Sequence, residues 1–158
     1  MSDQSYISPS SVESLLLSSP PRKDFLIIDV RSSDFAGGNL PSAINIQTHS
    51  FSTPQKTELV IKQHISSEKK LVIVHCMRSQ TRGPYVAELL STSPALPKDV
   101  EVKILRGGFQ GWWRAYRGRK ELFENLEDGE DEGWEDVVNA EEGSKGEAED
   151  SRKLREGK

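Results

Sequence analysis

The sequence predicts an α/β fold, a parallel sheet flanked by helices, followed by an acidic tail that lacks a core. Three observations carry the prediction. Phe25-Leu26-Ile27-Ile28-Asp29-Val30 and Leu71-Val72-Ile73-Val74-His75 are short, almost unbroken apolar runs rich in β-branched residues, the pattern of strands buried on both faces. Segments with apolar residues at helical spacing alternate with them, as parallel pairing requires. The charge is split: sixteen Lys and Arg stand against ten acids up to Lys120, and five stand against fifteen from Glu121 on. We therefore place one folded domain at residues 1–122 and a disordered tail at 123–158, where Glu, Asp and Gly dominate and Trp134, Val137 and Val138 form the one apolar island.

Taken in order, Tyr6-Ile7 is a short first strand ended by Ser8-Pro9. Ser10-Ser11-Val12-Glu13 has the form of a capping box, and Val12, Leu15 and Leu16 share one face of the helix it opens. Ser18 to Lys23, with Pro20-Pro21, is a loop. Phe25 to Val30 is the central strand. Asp29, near its end, is a candidate catalytic residue, but an Asp so placed more often anchors a loop or pairs with an arginine, here Arg31 or Arg82, and Arg31 reads the same way. Ser32 to Pro41 is a loop containing Gly37-Gly38 and an exposed Asp34. Ala43 to Ile46 is an edge strand, Gln47 to Pro54 a loop whose His49 is surface or core filling and has no assigned role, and Glu58 to Ile65 a helix carrying apolar residues at Leu59, Ile61 and Ile65, with His64 solvated. Leu71 to His75 is the next strand, and Gly83-Pro84 opens the helix after it. Ser91 to Lys98 is a loop broken by proline, and Val100 to Leu105 is the last strand. Gly107-Gly108 turns into a helix whose Phe109, Trp112, Trp113 and Tyr116 are core and flank packing. Arg114, Arg117, Arg119 and Lys120 form a basic cluster, read as a solvated face with an extra anion-binding surface as the alternative.

The chemistry is concentrated in Cys76-Met77-Arg78-Ser79-Gln80-Thr81-Arg82. Cys76 follows a strand and the loop runs into a helix, so the thiol stands at the carboxyl end of the sheet, where open α/β folds bind ligands. Five residues between Cys76 and Arg82 let the backbone curl with its N–H groups inward, an anion nest reinforced by the helix start. Arg82 can grip two oxygens of a tetrahedral oxyanion at once. The same positive field is expected to lower the pKa of Cys76 and populate its nucleophilic thiolate. Ser79 is placed to donate its hydroxyl hydrogen to the departing sulfur. His75 either supports the thiolate electrostatically or caps the strand end through hydrogen bonds.

Composition narrows the alternatives. A single Cys excludes an internal disulfide and fits a reducing compartment, cytoplasm or nucleus. No apolar run resembles a signal peptide or a membrane span. The body is basic enough to favour anionic substrates, but it lacks the aromatic patterning of a nucleic-acid binder, and no residues have metal-ligand spacing.

The string His75-Cys76-x-x-Ser79-x-x-Arg82-Gly83-Pro84 resembles the Cdc25 phosphatases and the related eukaryotic arsenate reductases, which have the rhodanese fold. Ile27-Ile28-Asp29-Val30-Arg31, continuing to Phe35 and Gly38 through Ile46, is similar to the first rhodanese signature, and Leu105 through Trp112 to the second. The resemblance implies a Cys-dependent phosphatase acting through a thiophosphoryl-cysteine on a phosphotyrosine or similar ester. Cys76 and Arg82 would be catalytic, Met77 to Arg82 would bind substrate, and His75 and Asp29 would support them. The close alternative is arsenate reduction with glutathione or glutaredoxin as external reductant; neither activity needs a resident cofactor. Partners would be a phosphorylated protein or a small oxyanion, with glutaredoxin in the reductase case, and neither nucleic acid nor membrane. A thiosulfate sulfurtransferase is disfavoured because its loop is one residue shorter, and a non-enzymatic phosphoprotein-binding module because Cys76 and Arg82 are both present. Two departures stand out. Cdc25 enzymes carry acids at the positions of Met77 and Thr81, and a Cys at that of Val30. The general acid is thus unassigned, with Asp34 and the tail as candidates, and oxidised Cys76 has no internal thiol to rescue it.

Overall fold

Five parallel strands form one sheet in the computed structural model, which describes residues 5–18 and 23–126. They are β1 (Tyr6–Ile7), β2 (Phe25–Asp29), β3 (Ile44–Asn45), β4 (Leu71–His75) and β5 (Glu101–Leu105), ordered β1-β5-β4-β2-β3. Four helices connect them: α1 (Pro9–Leu16), α2 (Pro54–His64), α3 (Arg82–Ser91) and α4 (Gly108–Tyr116). β4 is central, with Phe25 opposite Leu71 and Asp29 opposite His75 across β2, and Leu71 opposite Glu101 across β5.

Alternation along the strands divides the core in two, because successive side chains leave a strand on opposite faces. Phe25, Ile27, Ile73 and Leu105 pack with Val12 of α1 and with Phe109, Trp112 and Trp113 of α4. Ile28, Val72 and Val74 pack on the other face with Val60 and Ile61 of α2 and Val86 and Leu90 of α3. The arrangement is the predicted parallel sheet with helices on both faces.

The structure corrects several local expectations. The cap of α1 is Ser8, whose Oγ accepts the Ser11 N–H at 3.1 Å; Pro9 occupies the first helical position, where its missing N–H costs nothing. Glu13 is therefore no part of a capping box. It accepts hydrogen bonds from Tyr116 Oη (2.9 Å) and Arg119 Nη1 (2.8 Å), tying α1 to the end of α4, so Arg119 is not merely solvated. α2 begins one turn before Glu58, at Pro54 behind a Thr53 cap, and its Leu59 faces solvent while Val60 turns inward.

The packed body continues past Leu122. Trp112 Nε1 donates to Leu122 O at 2.8 Å, Phe123 is buried edge-on against Phe109, and Glu124 exchanges backbone hydrogen bonds with Asn39 at 2.8 and 2.9 Å. The expected acidic tail from residue 127 on, and the Pro20-Pro21 turn, lie outside the described residues.

Candidate active site

Cys76 is the first residue after β4, and the chain bends so that its sulfur sits inside the following loop. Sγ accepts the Ser79 N–H at 3.2 Å and the Gly83 N–H at 3.3 Å. Ser79 reaches this position in the left-handed region, at φ 58°, a conformation that costs a non-glycine residue about 1 kcal/mol or more. Its hydroxyl is buried without a hydrogen-bond partner among the described residues.

α4 holds the loop from behind. The Phe109 and Gln110 N–H groups, unpaired within their own helix because they lie in its first turn, donate to Cys76 O (3.0 Å) and Met77 O (2.8 Å). In a trans peptide the N–H points opposite to the carbonyl, so the Met77 and Arg78 N–H groups turn away from α4. This close approach requires glycine at 108. Its φ is 61°, and a Cβ there would lie 2.6 Å from Met77 O and 2.7 Å from Cys76 O.

Asp29, Arg31 and His75 lie beneath the loop, all fully buried. Arg31 Nε and Nη2 donate to the Asp29 carboxylate at 2.8 to 3.1 Å, and its Nη1 and Nη2 donate to Asp34 O (2.9 Å) and Gly38 O (2.7 Å). The rings of Phe109 and Phe35 lie 4.2 and 5.3 Å from the guanidinium carbon. Asp29 thus pairs with Arg31, and this buried pair fixes the loop after β2. His75 Nδ1 donates to Cys76 O at 3.0 Å, and its Nε2 lies 3.7 Å from Asp29 Oδ2. Burial holds the His75 pKa below its ordinary value, against the pull of the Asp29 charge, so the ring is neutral at pH 7. Of the two readings open from the sequence, its geometry is that of a strand-end cap.

Arg82 opens α3, but its guanidinium faces the loop after β2. Nη1 and Nη2 donate to Asp34 Oδ1 (3.2 Å) and Oδ2 (2.8 Å). Asp34 is accordingly not exposed: its side chain is 14% accessible. Burial raises its pKa, but the Arg82 hydrogen bonds and charge outweigh that and hold the carboxyl below the ordinary carboxylate value. Burial likewise works against the Arg82 charge and is overridden by Asp34, so both stay ionised at neutral pH. Asp34 and the two N–H groups of α4 are the features that reading the sequence left unplaced. The available signal was position: the Asp34 loop leaves β2 at the same sheet edge as the Cys loop leaves β4.

The remaining loop residues are arranged around this centre. Met77 packs partly against the α4-side core, Arg78 is half-buried, and Gln80 and Thr81 are exposed at the rim. A cavity of about 410 Å³ between Phe51, Thr57, Leu89 and Ala95 lies on the α2 and α3 side, and no residue of the Cys loop lines it. Among the described residues, no helix is long and apolar enough to cross a membrane.

Comparison with known proteins adds an independent line. The model of the rhodanese-like domain family matches residues 9–115. Dual specificity phosphatase ibp1 of Schizosaccharomyces pombe is 33% identical over 144 residues, covering 78% of this chain and 99% of ibp1. Arsenical-resistance protein 2 of Saccharomyces cerevisiae is 35% identical over 102 residues, covering 58% of this chain and 75% of that protein. Among solved structures, a yeast protein tyrosine phosphatase of the rhodanese family superposes with a TM-score of 0.66 at 27% identity, over 77% of this chain and 92% of its own.

Proposed function

Because the chain belongs to the rhodanese-like domain family, with a dual specificity phosphatase and an arsenical-resistance protein among its relatives, we propose that it is a Cys-dependent phosphatase of the Cdc25 type. The observation that carries this is the Cys76 sulfur held by two backbone N–H donors, inside a loop of five residues that ends in an oriented arginine. Such a site takes a tetrahedral oxyanion and offers it a nucleophile.

The Cys76 thiolate attacks phosphorus in line, forming the S–P bond as the ester P–O bond breaks. Backbone N–H groups and Arg82 stabilise the equatorial oxygens as charge shifts among them. The Ser79 hydroxyl, buried within the loop and bonded there to neither the Cys76 sulfur nor any other group among the described residues, is free to turn and donate to the sulfur when water attacks phosphorus and the thiolate leaves. Inorganic phosphate and free Cys76 are the products. The leaving alkoxide or phenoxide must take a proton, and Asp34, ionised in its pair with Arg82, does not hold one at neutral pH. Aryl phosphates, whose leaving groups need little protonation, are therefore the expected substrates.

Arsenate reduction is the second reading, favoured by the 35% identity to arsenical-resistance protein 2. Arsenate would bind as phosphate does, and the Cys76 sulfur would bond to arsenic as one As–O bond breaks and that oxygen leaves as water. Glutathione sulfur then supplies the electrons with Cys76, leaving arsenite and a Cys76–glutathione disulfide for glutaredoxin to reduce, since Val30 offers no second thiol.

Parallel assays of wild type and Cys76→Ser test the proposal, using an aryl phosphate, arsenate with glutathione and glutaredoxin, and thiosulfate with cyanide. The phosphatase reading expects aryl phosphate turnover that is lost by at least a factor of about 10³ in the variant. Turnover of arsenate alone selects the reductase. Absence of Cys76-dependent turnover in all three contradicts both.

A further inference from the structure

The loop after β2 brings a carboxylate to the catalytic arginine from 48 residues away, and it brings it in a fixed posture. Arg31 Nη1 holds the Asp34 carbonyl at 2.9 Å, and the Ser32 N–H holds Asp34 Oδ1 at 3.1 Å. The far end of the loop is strapped by Glu124 and Asn125: Asn39 exchanges backbone hydrogen bonds with Glu124, and its Oδ1 accepts from Asn125 Nδ2 at 2.9 Å. With Arg31 buried in its pair with Asp29, Asp34 is a fixed point against which a side chain as long as arginine can be oriented.

The way in which the carboxylate meets the guanidinium decides its role. A guanidinium carries five N–H bonds in a plane. Asp34 takes one from each terminal nitrogen, an end-on pairing. The edge formed by Nε–H and the outer N–H of the adjacent terminal nitrogen is left over, and no group among the described residues accepts from Nε. That edge is itself a two-donor fork suited to two oxygens of a tetrahedral anion. An acid covering both forks would block substrate; one covering the end fork presents the other.

We propose that Asp34 is a positioning residue: by holding the terminal nitrogens of Arg82, it turns the guanidinium's Nε edge toward the oxyanion bound in the Cys76 loop. Asp34 stays on Arg82 throughout the reaction and neither contacts nor protonates substrate. The inference rests on the reading of the Cys76 loop as an oxyanion site, and it adds a specificity consequence. A carboxylate fixed beside the site offsets part of the Arg82 charge, so the loop selects for oxyanion shape rather than for negative charge alone.

The test has two arms on the full chain. In the first, kinetics with an aryl phosphate compare wild type, Asp34→Asn, Arg82→Lys and the double variant. Expected are a roughly tenfold fall in kcat for Asp34→Asn with KM changed less than about threefold, since misorientation costs more in the transition state than in binding. No further fall in kcat is expected when Asp34→Asn is added to Arg82→Lys. Unchanged or raised kcat, or effects that multiply in the double variant, overturns the proposal. In the second arm, inorganic phosphate is titrated into isotopically labelled Cys76→Ser protein, while NMR follows the Arg82 Nε–H and the Asp34 carboxyl carbon. The expected result is a shift at Nε–H with the Asp34 carboxyl unchanged. Release of Asp34 on phosphate binding would make it a blocker, and no shift at Nε–H would leave it nothing to position; either overturns the proposal. A shift at Nε–H in a protein that hydrolyses no phosphate ester would sustain Asp34 while removing the phosphatase reading.

Discussion

His75 shows how one residue is assigned by what surrounds it. Its ring is buried, donates Nδ1–H to Cys76 O and is held neutral by desolvation. A histidine whose native pKa is depressed takes up its proton more readily in the unfolded chain. Its contribution to stability is therefore complete above about pH 6.5 and is lost as pH falls from there through the lower native value. Asp34 adds a second, more acidic window, with its contribution present above the ordinary carboxylate value and lost as pH falls through its lowered one. Thermal melts of wild type are expected to lose midpoint steadily from pH 7 to pH 5, and His75→Gln is expected to flatten that slope; an equal slope in both would contradict a buried neutral His75. That Arg82 closes the loop opened by Cys76 was legible because both stand within seven consecutive residues. Asp34 was not, because its partner lies 48 residues on, and a lone Asp in a Gly-containing loop carries no local sign of a salt bridge. The cap of α1 misled for a related reason: Ser8 and Ser10 are chemically equal, and Pro9 decides between them by fixing where the helix begins.

Among elements, the contact between the start of α4 and the Cys loop governs the site. The first turn of α4 supplies N–H donors to the loop carbonyls, and this is feasible because residue 108 has no Cβ. Gly108→Ala would push a methyl group into the Met77 and Cys76 carbonyls and also strain a positive φ. The expected cost is about 2–3 kcal/mol of stability and at least about a tenfold loss of kcat, by analogy with other strained and overpacked sites. Denaturant melts and steady-state kinetics would check this, and wild-type values in both would contradict the clamp. The strands were legible because their apolar runs survive any packing arrangement. Helix boundaries were less so: Thr53-Pro54 resembles a loop in isolation and is in fact a cap followed by a proline at the first helical position.

At the scale of the molecule, the described body closes through its last segment. Residues 120–125 return across α4 and fasten the loop that carries Asp34, through Phe123 in the core and Glu124 and Asn125 on Asn39. A chain ending at Leu122 loses that strap, whereas one ending at Leu126 keeps it. The shorter form is expected to be less stable by about 3 kcal/mol, chiefly from the buried phenylalanine, and to show a lower kcat because its Asp34 loop is loosened. Equal melting midpoints for the two truncations would contradict this. Sequence placed the boundary at 122 because Phe123 is a single aromatic residue inside an acidic run, and composition has no means of seeing one side chain reach back to a distant core. The two-faced sheet and the position of Cys76 at its carboxyl edge, by contrast, follow from strand order and alternation, both of which are encoded along the chain. The central claim, that the Cys76 thiolate is the nucleophile toward a phosphate ester, is tested most directly by rapid quench of the full-length protein during aryl phosphate turnover, followed by mass mapping. The expected result is phosphate on the Cys76 sulfur, formed and lost fast enough to account for kcat and absent in Cys76→Ser; turnover without it, or phosphate carried on another residue, would contradict the account.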